Sequence, residues 1–310
     1  MSSISWSSIF VGLALFLFGI DYLSLSLENI SANHLKKILL RYTDSPIKGM
    51  IIGILITCLI QSSSATTAMV VTLINAQLIT FKQSVGIIMG ANIGTTITAW
   101  IVGFNLFQYA SLFLILGASL LLISKHPKIK ILSQIIFGLG CLFYGLEMMS
   151  FHLEKISHLP QFINLVTLFN KHPFLSLLGG IITTSIIQSS SAMIAIVQQL
   201  YSLKAFSLYI SLPFLFGCNI GTTVTAFLSS INGNKTAKKA ALFHLLFNLI
   251  GTIFFMCFLN PFYLFFLTLR FYIPLSPQLQ LALVHAIFNI VTSLIIFPIY
   301  KKLISFLEKC

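Results

Sequence analysis

The chain has 310 residues, of which 57% are hydrophobic and only 8% are charged, and its mean hydropathy is +0.99. This composition excludes a soluble globular domain and predicts an all-α protein that crosses the membrane several times. The net charge of +12 does not indicate a nucleic-acid partner, because the basic residues lie in short segments between apolar runs, where they set the orientation of the protein in the bilayer.

The first predicted element is a spanning helix over residues 5–27. The start of the chain lacks the basic segment of a cleavable signal peptide, so we expect this helix to remain in the protein. A polar segment follows at 28–48. Residues 49–60 are apolar but too short to span the membrane before the string Gln61-Ser62-Ser63-Ser64. We therefore predict that residues 49–79 form a broken helix or re-entrant hairpin with this string at its tip.

The rest of the chain predicts further spanning helices, a second hairpin and a proline-interrupted connection. The helices are expected at 83–103, 107–124, 131–152, 207–228, 240–259 and 279–300, the hairpin at 174–203 and the connection at 261–277. We expect Gly94 and Gly221 to mark breaks within two of these helices.

Several strings in the chain occur twice. Gln61–Ala65 recurs as Gln188–Ala192, and Asn92–Thr96 recurs as Asn219–Thr223, each 127 residues later. The first helix also recurs, since Gly12…Gly19-Ile20-Asp21 matches Gly138…Gly145-Leu146-Glu147 at an offset of 126. The chain is therefore an internal duplication.

The distribution of basic residues predicts how the two copies are oriented. All Lys and Arg residues fall on one side of the predicted topology except Lys155, Lys171, Lys204 and Arg270. The positive-inside rule places that side, and with it the C-terminus, in the cytoplasm. The copies then have opposite orientations: a first repeat at 1–124, an inverted repeat at 131–259 and a C-terminal part at 260–310. Inverted repeats with broken helices meeting near the midplane are typical of secondary transporters.

The repeated strings supply hydroxyl and carboxamide groups but no charged side chain, histidine or cysteine. They therefore lack the groups that acid–base catalysis or a soft metal requires, and we expect neither an enzyme nor a cofactor. Serines can also simply line helix interfaces in lipid. Four consecutive polar residues point all round a helix, however, and their recurrence favours a binding site. Oxygen ligands suit sodium, the N–H groups of broken helices suit an anion, and a co-bound sodium would neutralise that anion.

At Gln61–Ser64, Gly90–Thr96 and their copies, the sequence resembles the type II sodium-dependent phosphate cotransporters, with the smaller bacterial members closest in size. The resemblance implies sodium–phosphate symport across the cell membrane by an elevator-like alternating-access mechanism, with inorganic phosphate and sodium as partners. Many bacterial relatives carry a C-terminal regulatory domain, whereas this chain ends soon after its last predicted helix.

The resemblance also implies the site residues. Phosphate would be bound by Gln61, Ser62, Ser63, Ser64, Gln188, Ser189, Ser190 and Ser191. Sodium, sharing the same cradle, would be bound by Thr66, Thr67, Asn92, Thr95, Thr96, Asn219, Thr222 and Thr223. Because Met193 and Ile194 replace the two threonines in the second copy, we expect unequal half-sites.

Some alternatives stay open at this point. The same fold could export phosphate or carry another small anion, and a channel-like or structural role is a weaker hypothesis. Asp21 and Glu147 could couple to a cation or simply pair at the interface. The motif His-x-x-Phe-Asn occurs at 244–248 and at 285–289. It favours hydrogen bonding between helices over a gating or proton-linked role.

Overall fold

The structure, a computed structural model, describes residues 5–41 and 43–309, and for residues 28–41 it describes the backbone alone. The prediction about the signal peptide rests mainly on residues 1–4, which lie outside this description. The described chain folds into helices without a strand. Six helices are long and apolar enough to cross a membrane, and a further helix pair bent by 120° forms a broken span or re-entrant loop. The predicted class, an all-α polytopic membrane protein, is confirmed.

Among the described residues, the first half contains seven α-helices and one short 3-10 helix at Phe107–Tyr109. The α-helices are α1 (Trp6–Arg41), α2 (Pro46–Ile60), α3 (Ser63–Asn75), α4 (Phe81–Gly94), α5 (Thr96–Gly103), α6 (Ala110–Ile123) and α7 (Pro127–Ser157). The remaining nine are α8 (Pro160–Lys171), α9 (Pro173–Ile187), α10 (Ser190–Ser202), α11 (Leu208–Gly221), α12 (Thr223–Ser230), α13 (Lys235–Cys257), α14 (Leu259–Tyr272), α15 (Pro277–Ile296) and α16 (Tyr300–Lys309).

Several boundaries differ from the prediction. The helix α1 continues through the polar segment to Arg41 instead of ending at residue 27. The connection expected at 261–277 contains α14, because Pro261 falls in the first turn, where proline costs no helical hydrogen bond. The expected breaks at Gly94 and Gly221 are only one-residue interruptions, since Thr95 and Thr222 keep helical dihedral angles. The prediction also lacked the helices α8 and α16.

The repeated helices α1 and α7 pack against each other in opposite directions. Their contact is made by glycines: a Cβ atom added to Gly12 would lie 2.7 Å from the carbonyl oxygen of Gly145, and one added to Gly19 would lie 2.6 Å from that of Gly138. Each glycine thus meets the copy of the other, which requires an antiparallel pair. Two copies of one segment that run antiparallel are inverted relative to each other.

We call α4 with α5, and α11 with α12, the broken span of each repeat, because one residue interrupts each pair. Within each repeat, the first limb of the hairpin runs parallel to the first helix of this broken span. A Cβ atom on Gly94 of α4 would lie 2.7 Å from the carbonyl oxygen of Ile54 in α2, and Gly221 of α11 has the same distance to Ile181 in α9. The chain offset is the same in both halves, so the duplication is preserved in the packing as well as in the sequence.

The open ends of the two hairpins lie at opposite ends of the bundle. The side-chain oxygen of Asn75, at the end of α3, accepts a hydrogen bond from the backbone N–H of Asn234 at the start of α13 (2.8 Å). The hydroxyl of Ser202, at the end of α10, accepts one from the side chain of Gln278 at the start of α15 (2.7 Å). Since α13 and α15 are antiparallel neighbours, the hairpins enter from opposite ends and their tips approach each other.

The helices fall into two packed groups. In one, α6 lies on α7, which lies on α1, with Gly117 of α6 and Gly140 of α7 at close contacts. In the other, each hairpin packs against the broken span of its own repeat, and its second limb packs against the short helix of the other repeat, α3 on α12 and α10 on α5. The division of the chain at residues 124, 131 and 259 stays a prediction.

Candidate functional site

Both hairpins turn at the repeated glutamine. Gln61 and Gln188 adopt left-handed backbone conformations, with φ of 55° and 58°, and end α2 and α9. Such angles are uncommon for residues other than glycine. The following residues, Ser62 and Ser189, are extended and cap the next helix, where their hydroxyls accept hydrogen bonds from the N–H groups of the residues three positions on. Because the same uncommon backbone conformation occurs at both repeated glutamines, the two hairpin tips have the same turn geometry.

The two tips line a single cavity of about 230 Å³. All eight residues expected to bind phosphate are in its wall, although they come from segments 127 residues apart. The rest of the wall consists of Leu17, Ile20 and Asp21 from α1 and Thr95 from the junction of α4 and α5. The cavity therefore lies where the group containing α1 meets the hairpins.

The cavity is rich in hydrogen-bond donors without partners. The hydroxyls of Ser63, Ser64, Ser190 and Ser191 make no hydrogen bond to any residue that the structure describes. The same four residues begin α3 and α10, so their backbone N–H groups have no acceptor within the helix. Two helix N-termini with free N–H groups, directed at one small space, form a favourable environment for an anion.

The two glutamines differ although their backbones match. The side-chain oxygen of Gln61 accepts a hydrogen bond from Thr98 (2.9 Å), and its amide nitrogen donates to the carbonyl oxygen of Cys58. Gln61 is consequently buried, whereas Gln188 is exposed to the cavity and its side chain has no hydrogen-bond partner among the described residues. The two tips therefore differ in their glutamine side chains, and Gln188 is the one free to reach a ligand.

The two repeated acids also take different places. Asp21 lines the central cavity, whereas its copy Glu147 lines a separate cavity of about 390 Å³ among α1, α6 and α7, together with Ser8 and His152. A carboxylate thus lies beside the serines, although the repeated strings themselves contain none. The sequence comparison of the repeats had identified both acids but could not distinguish them.

Of the eight residues expected to bind sodium, Thr95 lines the cavity, and its buried hydroxyl has no partner among the described residues. The buried hydroxyl of Thr67 is also unpartnered, but it lies outside the cavity wall. Thr66 instead donates to the carbonyl oxygen of Ser62 and accepts from Thr57. The other three threonines lie at the junctions of α4 with α5 and of α11 with α12, and each donates to a carbonyl group at the end of the preceding helix: Thr96 to Ile93, Thr222 to Cys218 and Thr223 to Ile220.

The two asparagines of the sodium prediction face the duplicated His-x-x-Phe-Asn motifs. The Nε2 atom of His244 lies 3.4 Å from the side-chain oxygen of Asn92, and that of His285 lies 3.2 Å from the side-chain oxygen of Asn219. All four residues are buried. The motif on α13 therefore joins the first repeat and the motif on α15 joins the second, which supports hydrogen bonding between helices as their role.

Comparison with known proteins agrees with the duplication. The sequence profile of the family described as Na+/Pi-cotransporter matches residues 15–151 and again residues 152–271. The uncharacterized protein YqeW of Bacillus subtilis (strain 168) is 29% identical over 286 residues, which cover 92% of this chain and 91% of that protein.

Two further relatives have names that state a substrate. The putative inorganic phosphate export protein YjbB of Escherichia coli (strain K12) is 25% identical over 94% of this chain and 53% of that protein, so the chain spans about half its length. The human sodium-dependent phosphate transport protein 2B is 50% identical over 58 residues, or 19% of this chain and 8% of that protein. No solved structure matches this chain.

Proposed function

Since this chain belongs to the Na+/Pi-cotransporter family, we propose that it is a secondary transporter, not an enzyme, which couples inorganic phosphate to sodium across the cell membrane. The observation that carries the proposal is the single cavity lined by both Gln-Ser-Ser-Ser segments. A channel or structural protein would gain nothing from bringing two inverted copies of one turn together. A substrate site that must open to each side in turn needs such symmetry.

Phosphate suits the cavity in charge and size. The hydroxyls and N–H groups of Ser63, Ser64, Ser190 and Ser191 surround the space from two sides, and Gln188 can add its amide. The volume of about 230 Å³ is several times the roughly 30 Å³ that one water molecule occupies in the liquid. It has room for a tetrahedral oxyanion and accompanying ions.

Asp21 gives a physical reason for sodium coupling. Two like charges 4 Å apart repel by about 4 kcal/mol at the effective dielectric of a protein surface, so an ionised Asp21 would oppose phosphate binding in the empty cavity. A sodium ion beside Asp21 removes this repulsion and attracts the phosphate. We propose that Asp21, Thr95 and serine oxygens of the tips hold the ion, with Thr66 and Thr67 one turn behind them.

The packing supports an elevator-like movement of the hairpins relative to α1, α6 and α7. Only two side-chain hydrogen bonds among the described residues join these groups. Ser24 donates to the carbonyl oxygen of Ile60 (2.6 Å), and its repeat copy Ser150 donates to the side chain of Gln199 (3.1 Å). Away from the cavity, Ile20 and Leu146 belong to an apolar cluster with Ala192 and Ala195 of the second hairpin. An apolar interface with few directional bonds can slide at low cost.

The direction of transport has a second candidate. The YjbB proteins, which match nearly the whole chain, are named for phosphate export. The same cavity could export phosphate if the driving ion gradient were directed outward. In either case we propose a multi-pass protein of the cell membrane with a cytoplasmic C-terminus, because the basic helix ends gather at one end of the bundle.

Uptake of radiolabelled phosphate into proteoliposomes tests the proposal, with an inward sodium gradient compared with an equal potassium gradient. Saturable uptake that requires sodium is the expected result. Equal uptake in both gradients would refute sodium coupling but leave phosphate transport standing. If liposomes that contain verified folded protein take up phosphate under neither gradient, the proposed substrate is wrong.

A further inference from the structure

A stripe of lysines begins the helix α13. Lys235, Lys238 and Lys239 are followed by Leu242, and the spacing of three, four and seven positions places all four on one face of the helix. Like charges at these spacings repel each other. They also oppose the helix macrodipole, which is positive at this end, and the first turn of α13 contains no acidic residue. This arrangement is electrostatically unfavourable unless an anion lies beside it.

The stripe forms one wall of a groove whose other wall is α16. The groove has a volume of about 630 Å³ and is lined by the three lysines, Leu242, Glu308 and Lys309. Lys239 donates to the backbone carbonyl oxygen of Glu308 (2.8 Å), which holds α16 against α13. On another face of α16, the buried side chains of Ile304 and Leu307 pack into the apolar cluster that contains Ala237 and Ala240 of α13.

Among the side chains that the structure describes, the charge of the groove is not compensated. Four ammonium groups and one carboxylate face it, and the only ion pair among the described residues joins Lys48 to Asp44, which do not line it. The hydrogen bond of Lys239 to a carbonyl group leaves its charge in place. A mobile or bound anion must therefore balance a net charge of about three.

The position of the groove selects the kind of anion. Its lysines stand at the start of a membrane-spanning helix, at the level where the chain leaves the apolar region. The helix α16 is short and amphipathic, with Phe306 exposed beside Lys302 and Lys309, as in helices that lie in the membrane interface. Leu242 closes the inner end of the groove with an apolar surface. An occupant with a phosphate head and an apolar tail fits all three features.

We propose that this groove binds the headgroup of an anionic phospholipid, with its phosphate among Lys235, Lys238, Lys239 and Lys309 and the start of its acyl chain against Leu242. The lipid would neutralise the lysine stripe and hold α16 in the interface. Because α13 also carries His244, which contacts Asn92 of the first repeat, the bound lipid would stabilise the cytoplasmic end of the group of helices that contains the two hairpins.

Native mass spectrometry of the purified full chain in detergent tests this inference, with phosphatidylglycerol and phosphatidylcholine as probes. We expect one phosphatidylglycerol to bind at least about tenfold more tightly than phosphatidylcholine, because each lysine near an anionic headgroup adds several-fold to the affinity. K235Q/K238Q should weaken this binding by about tenfold. The control K125Q/K128Q removes two exposed lysines at the same end of the bundle but outside the groove, and it should change binding by less than about twofold.

Three results would overturn the inference. In the first, K235Q/K238Q binds phosphatidylglycerol as the unaltered protein does. In the second, both double variants lose affinity equally, which would indicate general attraction to a basic surface. In the third, inorganic phosphate at millimolar concentration displaces the lipid completely, so that the groove is a site for free phosphate. Glutamine removes the charge but keeps a polar side chain, and a matching elution profile for the two variants verifies their fold.

Discussion

Gly19 of α1 and Gly138 of α7 lie backbone to backbone. A Cβ atom on Gly19 would lie 2.6 Å from the carbonyl oxygen of Gly138, and one on Gly138 would lie 3.0 Å from that of Gly19. Gly138 is also the sequence copy of Gly12, which meets Gly145 at the other end of the same contact. Gly12 and Gly19 of α1 thus each contact the copy of the other in α7. This one interface therefore shows both that the segment is duplicated and that the two copies are inverted.

This contact predicts that Gly19→Ala destabilises the protein. The added methyl group would meet main-chain atoms, which cannot rotate away, and overpacking of this kind costs about 1–3 kcal/mol. Thermal denaturation in detergent should show a lower midpoint than for the unaltered chain. The control is Gly49→Ala in α2, where the nearest atoms to a Cβ lie at 3.4 Å, an ordinary contact. Equal midpoints for the two variants would contradict the close approach of α1 and α7.

Composition was sufficient to predict the class of fold, and the duplicated strings together with the charge bias predicted the convergence of the hairpins. Gln61 and Gln188 interrupt apolar runs that are too short to span the membrane, and charge bias indicates opposite orientations. These are properties of spacing and composition, which are visible along the chain. The observed cavity lined by both turns follows from them, because hairpins of inverted repeats enter from opposite ends.

The rotation of each helix could not be predicted in the same way. Asn92 and Thr95 lie in one string, but Thr95 faces the cavity and Asn92 faces His244. Which side of a buried helix faces the ligand depends on its neighbours, and a helix that is apolar all round gives no periodic signal. For the same reason, the sequence could not show that Asp21 faces the central cavity and Glu147 a different one.

Labelling can test the predicted orientation of the hairpins. Gln77 and Lys204 are repeat copies at the exposed open ends of the two hairpins, and both adopt positive φ values of 58°. Gln77→Cys and Lys204→Cys, each in a chain without its native cysteines, should react with an impermeant maleimide from opposite sides of the membrane. We expect reaction of Gln77→Cys from the cytoplasmic side. Reaction of both variants from one side would rule out the inverted topology.

The contact between His285 and Asn219 predicts a measurable coupling in stability. Alanine at either position should destabilise the protein, because it leaves a buried polar group without its partner. A double-mutant cycle of His285→Ala and Asn219→Ala should give a coupling energy between about 0.6 kcal/mol, the average for hydrogen bonds between membrane helices, and their maximum of about 1.7 kcal/mol.

The control pairs His285→Ala with Thr268→Ala, an exposed residue on α14 that bonds only within its own helix, and this pair should be additive. Additivity of the first pair as well would show that the histidine does not act through Asn219. A gating or proton-linked role would then become the better hypothesis for the motif.

The free hydroxyls at the hairpin tips predict a loss of phosphate affinity on truncation. A hydrogen bond to a charged group contributes about 1.5–3 kcal/mol, so Ser63→Ala or Ser190→Ala should weaken phosphate binding by roughly 10- to 150-fold and abolish uptake at low phosphate. Both variants should still insert and fold, since neither hydroxyl bonds to the described protein. Ser229→Ala, an exposed position that bonds to its own helix, serves as the control. Unaltered uptake in both tip variants would remove the serines from the site.

The unequal places of the two repeated acids predict unequal roles in sodium coupling. Asp21→Asn removes the carboxylate from the cavity, so sodium should lose its principal charged ligand while the serine donors for phosphate remain. The sodium concentration for half-maximal uptake should rise by about tenfold or more, because a paired charge in a partly desolvated site contributes more than 1.4 kcal/mol. The measurement is phosphate uptake into proteoliposomes over a range of sodium concentrations.

Glu147→Gln is the matched control, because it makes the same chemical change at the repeat copy, which lines a different cavity. Its sodium dependence should stay within about twofold of the unaltered chain, since a charge outside the cavity is largely screened from the ion. Equal shifts in both variants would mean that the acids affect sodium through the overall electrostatic potential of the protein, and that neither binds the ion directly. A shift in Glu147→Gln alone would place the sodium site on α7, outside the cavity that the two hairpins form.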